Sequence, residues 1–257
     1  MAYTTIDDGS EYFNTVLWTG DASSDKSISG VGFQPDWVWA KNRSDANDHQ
    51  IIDSSRGAGK ILRTNSTGAE LTRSVDAGAG GLQNFESDGF DVHSTSTNTN
   101  LNDNGELNVG WCWKANGGTT ASNTDGFITS TVQANTTAGF SIVTYTGTGS
   151  ATTVGHGLGI VPSWYVVKRR SATEGWTLYH HKNTSAPETD HLLLESTSAT
   201  NDQADIWNDT APTSSVFSLG NNSAINASSS TYVAYCFAEV KGYSKFGSYT
   251  GNGNADG

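Results

Sequence analysis

The chain has 257 residues, its formal net charge at pH 7 is −12, and glycine, serine, threonine and asparagine abound while charged residues are sparse. This acidic composition argues against nucleic acid as a partner, because like charges repel phosphate backbones, and no apolar run approaches the length of a membrane span. Aromatic and β-branched residues are plentiful, so the chain does not belong to the disordered class.

The first domain is predicted over residues 1–114, as a β-sandwich whose short strands are separated by polar turns. Short apolar runs between Gly, Asn, Asp and Ser favour strands over helices. One strand follows Pro35, because proline lacks the N–H that a central ladder needs but can open a strand. The other predicted strands of this domain cover residues 13–18, 50–52, 60–63, 82–85, 90–92 and 107–114.

The stretch at residues 32–43 occurs again at residues 159–170, which indicates a tandem duplication. Its matched residues are 127 positions apart, and the same offset holds upstream without a gap. The matched pairs include Pro35 and Pro162, Trp37 and Trp164, Lys41 and Lys168, Arg43 and Arg170, Phe13 and Phe140, and Gly32 and Gly159. We interpret each copy as a buried core strand. The alternative is that its tryptophan forms an exposed platform.

Residues 115–138 are rich in Asn, Gly, Thr and Ser, and a linker is predicted there. The second domain is predicted over residues 139–242. Its predicted elements are strands at residues 176–179, 191–194, 216–219 and 231–238, and a short helical segment at residues 202–207. Residues 243–257 are either the start of a third repeat or a C-terminal tail, because residues 246–251 echo residues 140–147. The sequence thus predicts an all-β protein of two tandem β-sandwich domains.

The two cysteines, Cys112 and Cys236, stand in matching aromatic and aliphatic contexts in the two domains. Equivalent positions of separate domains are unlikely partners for a disulfide, and free cysteine usually behaves as a small buried hydrophobe. We expect both thiols to be reduced and buried, which suits assembly in a cytoplasm.

Five segments together resemble a repeated module of virion proteins from marine tailed bacteriophages, notably cyanophages. These segments are residues 32–43, 53–57, 87–90, 111–114 and 242–249. In outline this family is similar to jelly-roll and concanavalin A-like lectin or glucanase sandwiches. The resemblance implies a structural or adhesive role on the particle and supplies no catalytic residues.

No residue pattern indicates hydrolytic chemistry. Glycoside hydrolysis needs two carboxylates across a sugar-binding cleft. A sandwich glucanase commonly supplies them from alternate positions of one strand. Glu86 and Asp88 alternate, but they lead into a hairpin turn, where Asp88 is expected to be a turn former. We therefore predict that the protein is not an enzyme.

Metal binding is also not expected. Asparagines at positions 100, 102 and 104 resemble the start of a calcium loop, but Trp111 stands where the acidic closing ligand is needed. His180, His181 and His191 lie close in sequence without an acidic or cysteine ligand at a recognised spacing. We read them as surface polar residues and predict no metal and no other cofactor.

Three aromatic residues, Trp176, Tyr179 and Trp207, are candidates for glycan binding because they are less tied to the duplicated core than Trp37 or Trp164. The apolar faces of sugars stack on aromatic rings, and their hydroxyls bond to polar side chains on loops. The alternative is that these three residues close the ends of the sandwich.

The sequence therefore predicts a non-enzymatic phage virion protein that is part of a fibre, an appendage or a capsid decoration. Expected partners are other virion proteins, a host-surface glycan and further copies of the chain, since trimers are common in fibres. The expected location is the virion, assembled in the host cytoplasm, because no secretory signal peptide is recognised. The alternatives are a glycan-degrading depolymerase and a secreted bacterial carbohydrate-binding adhesin.

Overall fold

The computed structural model describes residues 4–73, 81–94 and 101–255. Their regular secondary structure is almost entirely antiparallel β-strand arranged in packed sheets, which confirms the predicted all-β sandwich class. A short 3-10 helix (Gly9–Glu11) precedes the first strand. The strands described in the first half are β1 (Phe13–Thr19), β2 (Lys26–Ser29), β3 (Trp37–Asn42), β4 (Gln50–Asp53), β5 (Lys60–Arg63), β6 (Leu71–Thr72), β7 (Gly81–Glu86), β8 (Gly89–His93) and β9 (Leu107–Trp113).

The second half is also built from short antiparallel strands, with two helices of a single turn each. Its elements are β10 (Ala121–Asn123), β11 (Ser130–Asn135), β12 (Phe140–Thr146), β13 (Thr152–Gly155), β14 (Trp164–Arg169), β15 (Trp176–His180), β16 (Asp190–Leu193), β17 (Asn201–Asp202), α1 (Ala204–Trp207), β18 (Val216–Leu219), α2 (Ser223–Asn226) and β19 (Thr231–Phe237). Among the described residues, no helix is long and apolar enough to cross a membrane.

Two sheets of the first half enclose what we call the first core. The larger sheet has the strand order β1-β9-β3-β4-β5-β6, and the smaller one has the order β2-β8-β7. Successive side chains of a strand point to opposite faces, so alternate residues of the larger sheet face the smaller one. Trp18, Val38 and Cys112 from the larger sheet pack there with Ile28 and Phe90 from the smaller sheet.

The second half encloses a second core in the same way. Its larger sheet has the order β10-β11-β12-β19-β14-β15-β16-β17, and β13 pairs with β18 to cover one face. Tyr165 and Cys236 of the larger sheet pack in this core with Phe217 of β18. Trp207 of α1 and Ile225 of α2 close it. Cys112 and Cys236 are thus both buried, as predicted, in different cores.

The two halves share a strand order. The run β12-β19-β14-β15-β16-β17 repeats β1-β9-β3-β4-β5-β6 element by element. Paired glycines agree with this correspondence. Gly32 and Gly159 both have positive φ, at 86° and 73°, which L side chains rarely adopt. A Cβ on Gly20 or Gly147 would lie 2.1 or 2.4 Å from a backbone oxygen. Superposition of the complete halves stays a prediction.

The outer faces of the two large sheets pack against each other and form a central core. The first half contributes Trp37, Ile51 and Leu62, and the second contributes residues such as Trp176 and Tyr235. The order of layers is therefore small sheet, large sheet, large sheet, small sheet. Each half alone would expose this aromatic face to water, and covering it is the favourable hydrophobic term that joins the halves.

A buried charged network also joins the halves. Arg56 donates to Asp53 and to Glu70, and Glu70 also accepts two hydrogen bonds from Arg170 at 2.8 and 3.0 Å. Tyr235 of the second half donates to Asp53 at 2.7 Å. Burial by itself raises the pKa of Glu70, but the two guanidinium groups outweigh it and hold that pKa below its usual value.

The region 115–138, predicted as a linker, contains β10 and β11, which extend the second large sheet by pairing with β12. The linker prediction is therefore wrong for this part of the chain. Val132 enters the second core while Gln133, on the opposite face, bonds to the first half. A strand whose polar side chains are satisfied by a neighbouring half carries few apolar residues. Composition alone therefore hides it.

Most other predicted elements match the structure. The predicted strands at residues 13–18, 50–52, 60–63 and 107–114 correspond to β1, β4, β5 and β9, and the helical segment corresponds to α1. One strand that is not among the predicted ones is β2, which lies between β1 and the duplicated stretch and pairs with β8.

Candidate functional site

An aromatic cleft opens at one end of the central core, where strands β1, β3, β12 and β14 begin. Its volume is about 420 Å³. The lining residues are contributed by both halves and by the segment after β19. They are Phe13, Trp37, Trp39, Trp113, Ala138, Phe140, Trp164, Phe237, Tyr243, Ser244, Lys245 and Phe246. We call this feature the aromatic cleft.

In the first half, strand register places three aromatic side chains side by side. Trp113 on β9 lies opposite Phe13 on β1 and opposite Trp37 on β3. The Trp37 and Trp113 rings are 4.5 Å apart, and the Phe13 and Trp113 rings are 4.6 Å apart. Period-two alternation puts Trp111 on the same face as Trp113, and this is the outer face of the sheet.

The second half repeats this arrangement. Phe237 on β19 lies opposite Phe140 on β12 and opposite Trp164 on β14. The rings of Phe140 and Phe237 are 4.7 Å apart, and those of Trp164 and Phe237 are 5.3 Å apart. Trp37 lies 5.8 Å from Phe140, so the two clusters meet within the cleft.

The duplicated tryptophans occupy matching strand positions but differ in exposure. Trp37 is 3 % exposed, whereas Trp164 is only half-buried. The prediction that both are buried core residues is thus confirmed for Trp37 and wrong for Trp164. Trp164 borders the cleft mouth, and the alternative of an exposed tryptophan platform partly describes it.

The segment after β19 forms a wall of the cleft. Phe246 lies 6.2 Å from Phe237, and its carbonyl oxygen is 3.2 Å from Nε2 of His181. Tyr243 packs edge-on against Tyr12 at 6.2 Å. Burial, together with the neighbouring Tyr12, raises the pKa of Tyr243 to about 12, so its hydroxyl stays protonated at neutral pH. Residues that echo the start of a repeat therefore pack against the existing repeats.

The chemistry of the cleft is apolar contact. Of the described residues that line it, none is Asp, Glu, His or Cys, and Lys245 is the one that carries a charge. Half-buried rings of Trp39, Trp113 and Trp164 present faces or edges on which a flat or ring-shaped apolar surface can stack. The lining offers no acid and base pair for hydrolysis.

The three glycan candidates from the sequence are wrong, because their rings are not accessible. Trp176 and Trp207 are 0 % exposed and Tyr179 is 3 % exposed. Trp176 Nε1 donates to the carbonyl of Arg63 in the other half at 2.9 Å, and Trp207 Nε1 donates to the carbonyl of Asp190 at 3.0 Å. They hold the sandwich together instead, as in the alternative considered for them.

The other weighed residues are structural. Asp88 accepts hydrogen bonds from the N–H groups of Gly30 and Gly32, at 3.1 and 2.6 Å, and so fixes a loop beside its turn. Position 100 lies outside the described residues, while the amide of Asn102 bonds to Asp21 and Ser23. Within the described residues, no group of three His, Cys, Asp or Glu side chains is arranged to hold a metal ion.

The cleft is not among the sequence predictions, although the sequence contains a pattern that indicates it. Each of its two clusters occurs at positions that the duplication pairs, such as Phe13 with Phe140 and Trp37 with Trp164. A strand with aromatic residues on both faces has two faces to cover, and one sandwich covers only one of them. That excess of aromatic residues predicts a second packing surface.

The fold and the cleft together define an all-β sandwich protein with an apolar, aromatic cleft. The chain belongs to the family described as Domain of unknown function (DUF7483), whose model matches residues 8–257. No curated protein and no solved structure matches the chain.

Proposed function

We propose that this chain is a non-enzymatic structural module of a phage particle, part of a fibre, an appendage or a capsid decoration. It acts by contact, and the aromatic cleft is the contact site for a host-surface glycan. The observation that carries the proposal is the cleft itself, which exposes tryptophan and phenylalanine rings in a rigid setting. A pyranose presents an apolar CH face of the size of such a ring.

The absence of hydrolytic groups from the described lining supports a binding role over turnover. Retaining or inverting hydrolysis needs two carboxylates flanking the scissile bond. The lining offers tryptophan, phenylalanine, alanine, tyrosine, serine and lysine instead. Contact through many copies on one particle needs little affinity for each module, because linked sites bind with a high effective concentration.

The placement on a virion is supported by the resemblance of five segments to the phage module. Its test is location. We expect the protein in purified virions by quantitative proteomics, in a fixed ratio to the capsid protein, and antibody labelling on the particle surface. A protein abundant in infected-cell lysate and missing from purified virions contradicts the proposal.

Glycan contact is tested separately, with a glycan array followed by saturation-transfer NMR on the neutral oligosaccharide that gives the strongest signal. Trp39→Ala removes a half-buried ring that lines the cleft. Trp111→Ala is the matched control. The Trp111 ring is also half-buried and lies 6.0 Å from the Trp39 ring, but it does not line the cleft. We expect the transfer signal to fall at least tenfold in Trp39→Ala and to persist in Trp111→Ala. Equal signals in the two variants contradict the assignment of the cleft.

A further inference from the structure

The first strand, β1, lies at a free end of the six-stranded sheet and is unlike the other ends. The large sheets end in β1, β6, β10 and β17. The last three contain two or three residues each, which is how proteins usually blunt an edge. β1 has seven residues, Phe-Asn-Thr-Val-Leu-Trp-Thr, without a charge, a proline or a bulge. Its Leu17 side chain is 65 % exposed.

The hydrogen-bonding pattern shows which groups of β1 point away from β9. Just beyond the strand ends, Lys114 N–H donates to the carbonyl of Tyr12, and Gly20 N–H donates to that of Glu106. In an antiparallel pair the bonded residues alternate, so even-numbered residues of β1 bond to β9. Odd-numbered residues, including Leu17 and Thr19, therefore direct their N–H and C=O groups outward. Within the described residues, β9 is the one strand that pairs with β1.

The second half shows how a strand covers this edge. Phe140, Ile142 and Thr144 of β12 correspond to residues 13, 15 and 17 of β1. Their outward groups face β11, which pairs with β12 in antiparallel register, with Thr131 opposite Thr144 and Gln133 opposite Ile142. The module thus accepts a strand at this edge, and in the part of the first half that the structure describes the same edge has none.

We propose that β1 pairs in antiparallel fashion with β1 of a second copy of this chain. Because β1 carries no charged side chain, two copies of it can lie side by side without like-charge repulsion, although each chain carries a net charge of −12. A register centred on Val16 places Thr15 opposite Leu17 of the other copy and brings the outward groups of the two strands face to face. The Thr15 N–H, which donates to Oδ1 of Asn14 at 2.9 Å, exchanges that bond for one to the other copy. The two six-stranded sheets then form one continuous sheet about a two-fold axis. This inference does not depend on the ligand of the cleft.

The test is sedimentation equilibrium over a wide range of concentration. We expect the mass to rise from the 27.2 kDa of the monomer to twice that value. Leu17→Pro removes an outward N–H while leaving the ladder between β1 and β9 intact, since proline is tolerated on the free side of an edge strand. This variant is expected to stay monomeric. Leu17→Lys, which places equal charges near each other across the two-fold axis, provides a second variant with the same expectation.

Leu107→Lys is the matched control, because Leu107 is 46 % exposed on the same face of β9, one strand in from the edge. It should still dimerise. Hydrogen exchange gives an independent readout, since the amides of Leu17 and Thr19 should exchange at least tenfold more slowly in the dimer. A wild-type chain that stays at 27.2 kDa up to its solubility limit overturns the proposal. So does a dimer that Leu107→Lys disrupts and Leu17→Pro does not, because the sheet faces would then be the interface.

Discussion

At the scale of single residues, Lys168 shows what the packing of the two halves imposes. It is 0 % exposed, and its ammonium donates to the carbonyls of Thr67 and Glu174. The duplication pairs it with Lys41, which is half-buried and bonds to carbonyls of a neighbouring turn. Burial against the other half lowers the pKa of Lys168 to about 8, because desolvation disfavours the charged form.

We predict that this lysine makes stability depend on pH above neutrality. Its folded pKa is lower than that of an exposed lysine, so the unfolded chain binds more protons between about pH 8 and 10.5. The contribution of Lys168 to stability therefore rises with pH over this window. Chemical denaturation of wild type and Lys168→Met should show the difference in unfolding free energy moving in favour of the wild type from pH 7 to pH 10. A difference that is constant with pH would show that the amine stays hydrated.

The buried thiols give a second prediction. Burial raises the pKa of Cys112 to about 12 and also raises that of Cys236, so thiolate is scarce at neutral pH. We expect a thiol reagent to label the native protein at least a hundredfold more slowly than the unfolded chain, with both sites reacting after denaturation. Rapid labelling of native protein, or a disulfide in the intact mass, would contradict this.

Single residues also show where reasoning from sequence alone stops. The duplication, the strand character around Trp37 and the burial of both cysteines follow from local pattern and were predicted. The burial of Trp176 was predicted only as an alternative, because the carbonyl groups that its ring nitrogen bonds to belong to the other half, more than a hundred positions earlier in the chain. Exposure is a tertiary property, and an aromatic residue outside a duplicated motif carries no local sign of it.

At the scale of elements, β11 explains how a polar segment becomes an ordered strand. The Gln133 side chain is 1 % exposed, and its Nε2 reaches the first half. Its Nε2 donates to the hydroxyls of Ser54 and Ser55 at 2.9 Å. Its Oε1 accepts from the N–H groups of Asn116 and Gly118 at 3.2 and 2.9 Å. Composition suggested a linker, whereas these bonds make it part of the sheet.

We predict that Gln133→Ala lowers the free energy of unfolding by about 1 to 3 kcal/mol, because the part-buried N–H group of Asn116 and the hydroxyl of Ser55 lose their partner. Thr131→Ala, on the same face of β11 but exposed, is the matched control and should change stability by less than about 0.5 kcal/mol. Urea denaturation with an unchanged slope measures both. Equal effects would mean that strand propensity alone, without the contacts between halves, orders β11.

At the scale of the whole molecule, the duplication explains the central core. A single sandwich buries one face of its large sheet and leaves the other face, which is aromatic, exposed to water. The two copies solve this by packing those faces together, with Trp37 between Trp113, Phe140 and Tyr235 at 4.5 to 5.8 Å. The all-β class follows from sequence pattern, but the strand order and this arrangement of layers depend on pairings of strands and faces that no local window contains.

Substitution of Glu70 tests whether the two halves unfold as one cooperative unit. Glu70 stands between Arg56 of its own half and Arg170 of the other, and its side chain is 9 % exposed. Removing one partner from a buried pair leaves uncompensated charge, so Glu70→Gln should cost about 3 kcal/mol. Glu86→Gln, at an exposed position in the β7–β8 hairpin, is the matched control and should cost less than about 0.5 kcal/mol.

The pH dependence follows from the lowered pKa of Glu70. The unfolded chain takes up a proton at this carboxyl before the folded chain does, so its stabilising contribution is present at neutral pH and is lost as pH falls through the folded pKa. The difference in unfolding free energy between wild type and Glu70→Gln should therefore become smaller from pH 7 to pH 3. Calorimetry at pH 7 should show one transition in both proteins, because the central core belongs to both halves. Two transitions in the wild type, with Glu70→Gln shifting one of them, would show that the halves fold separately and that their interface adds little.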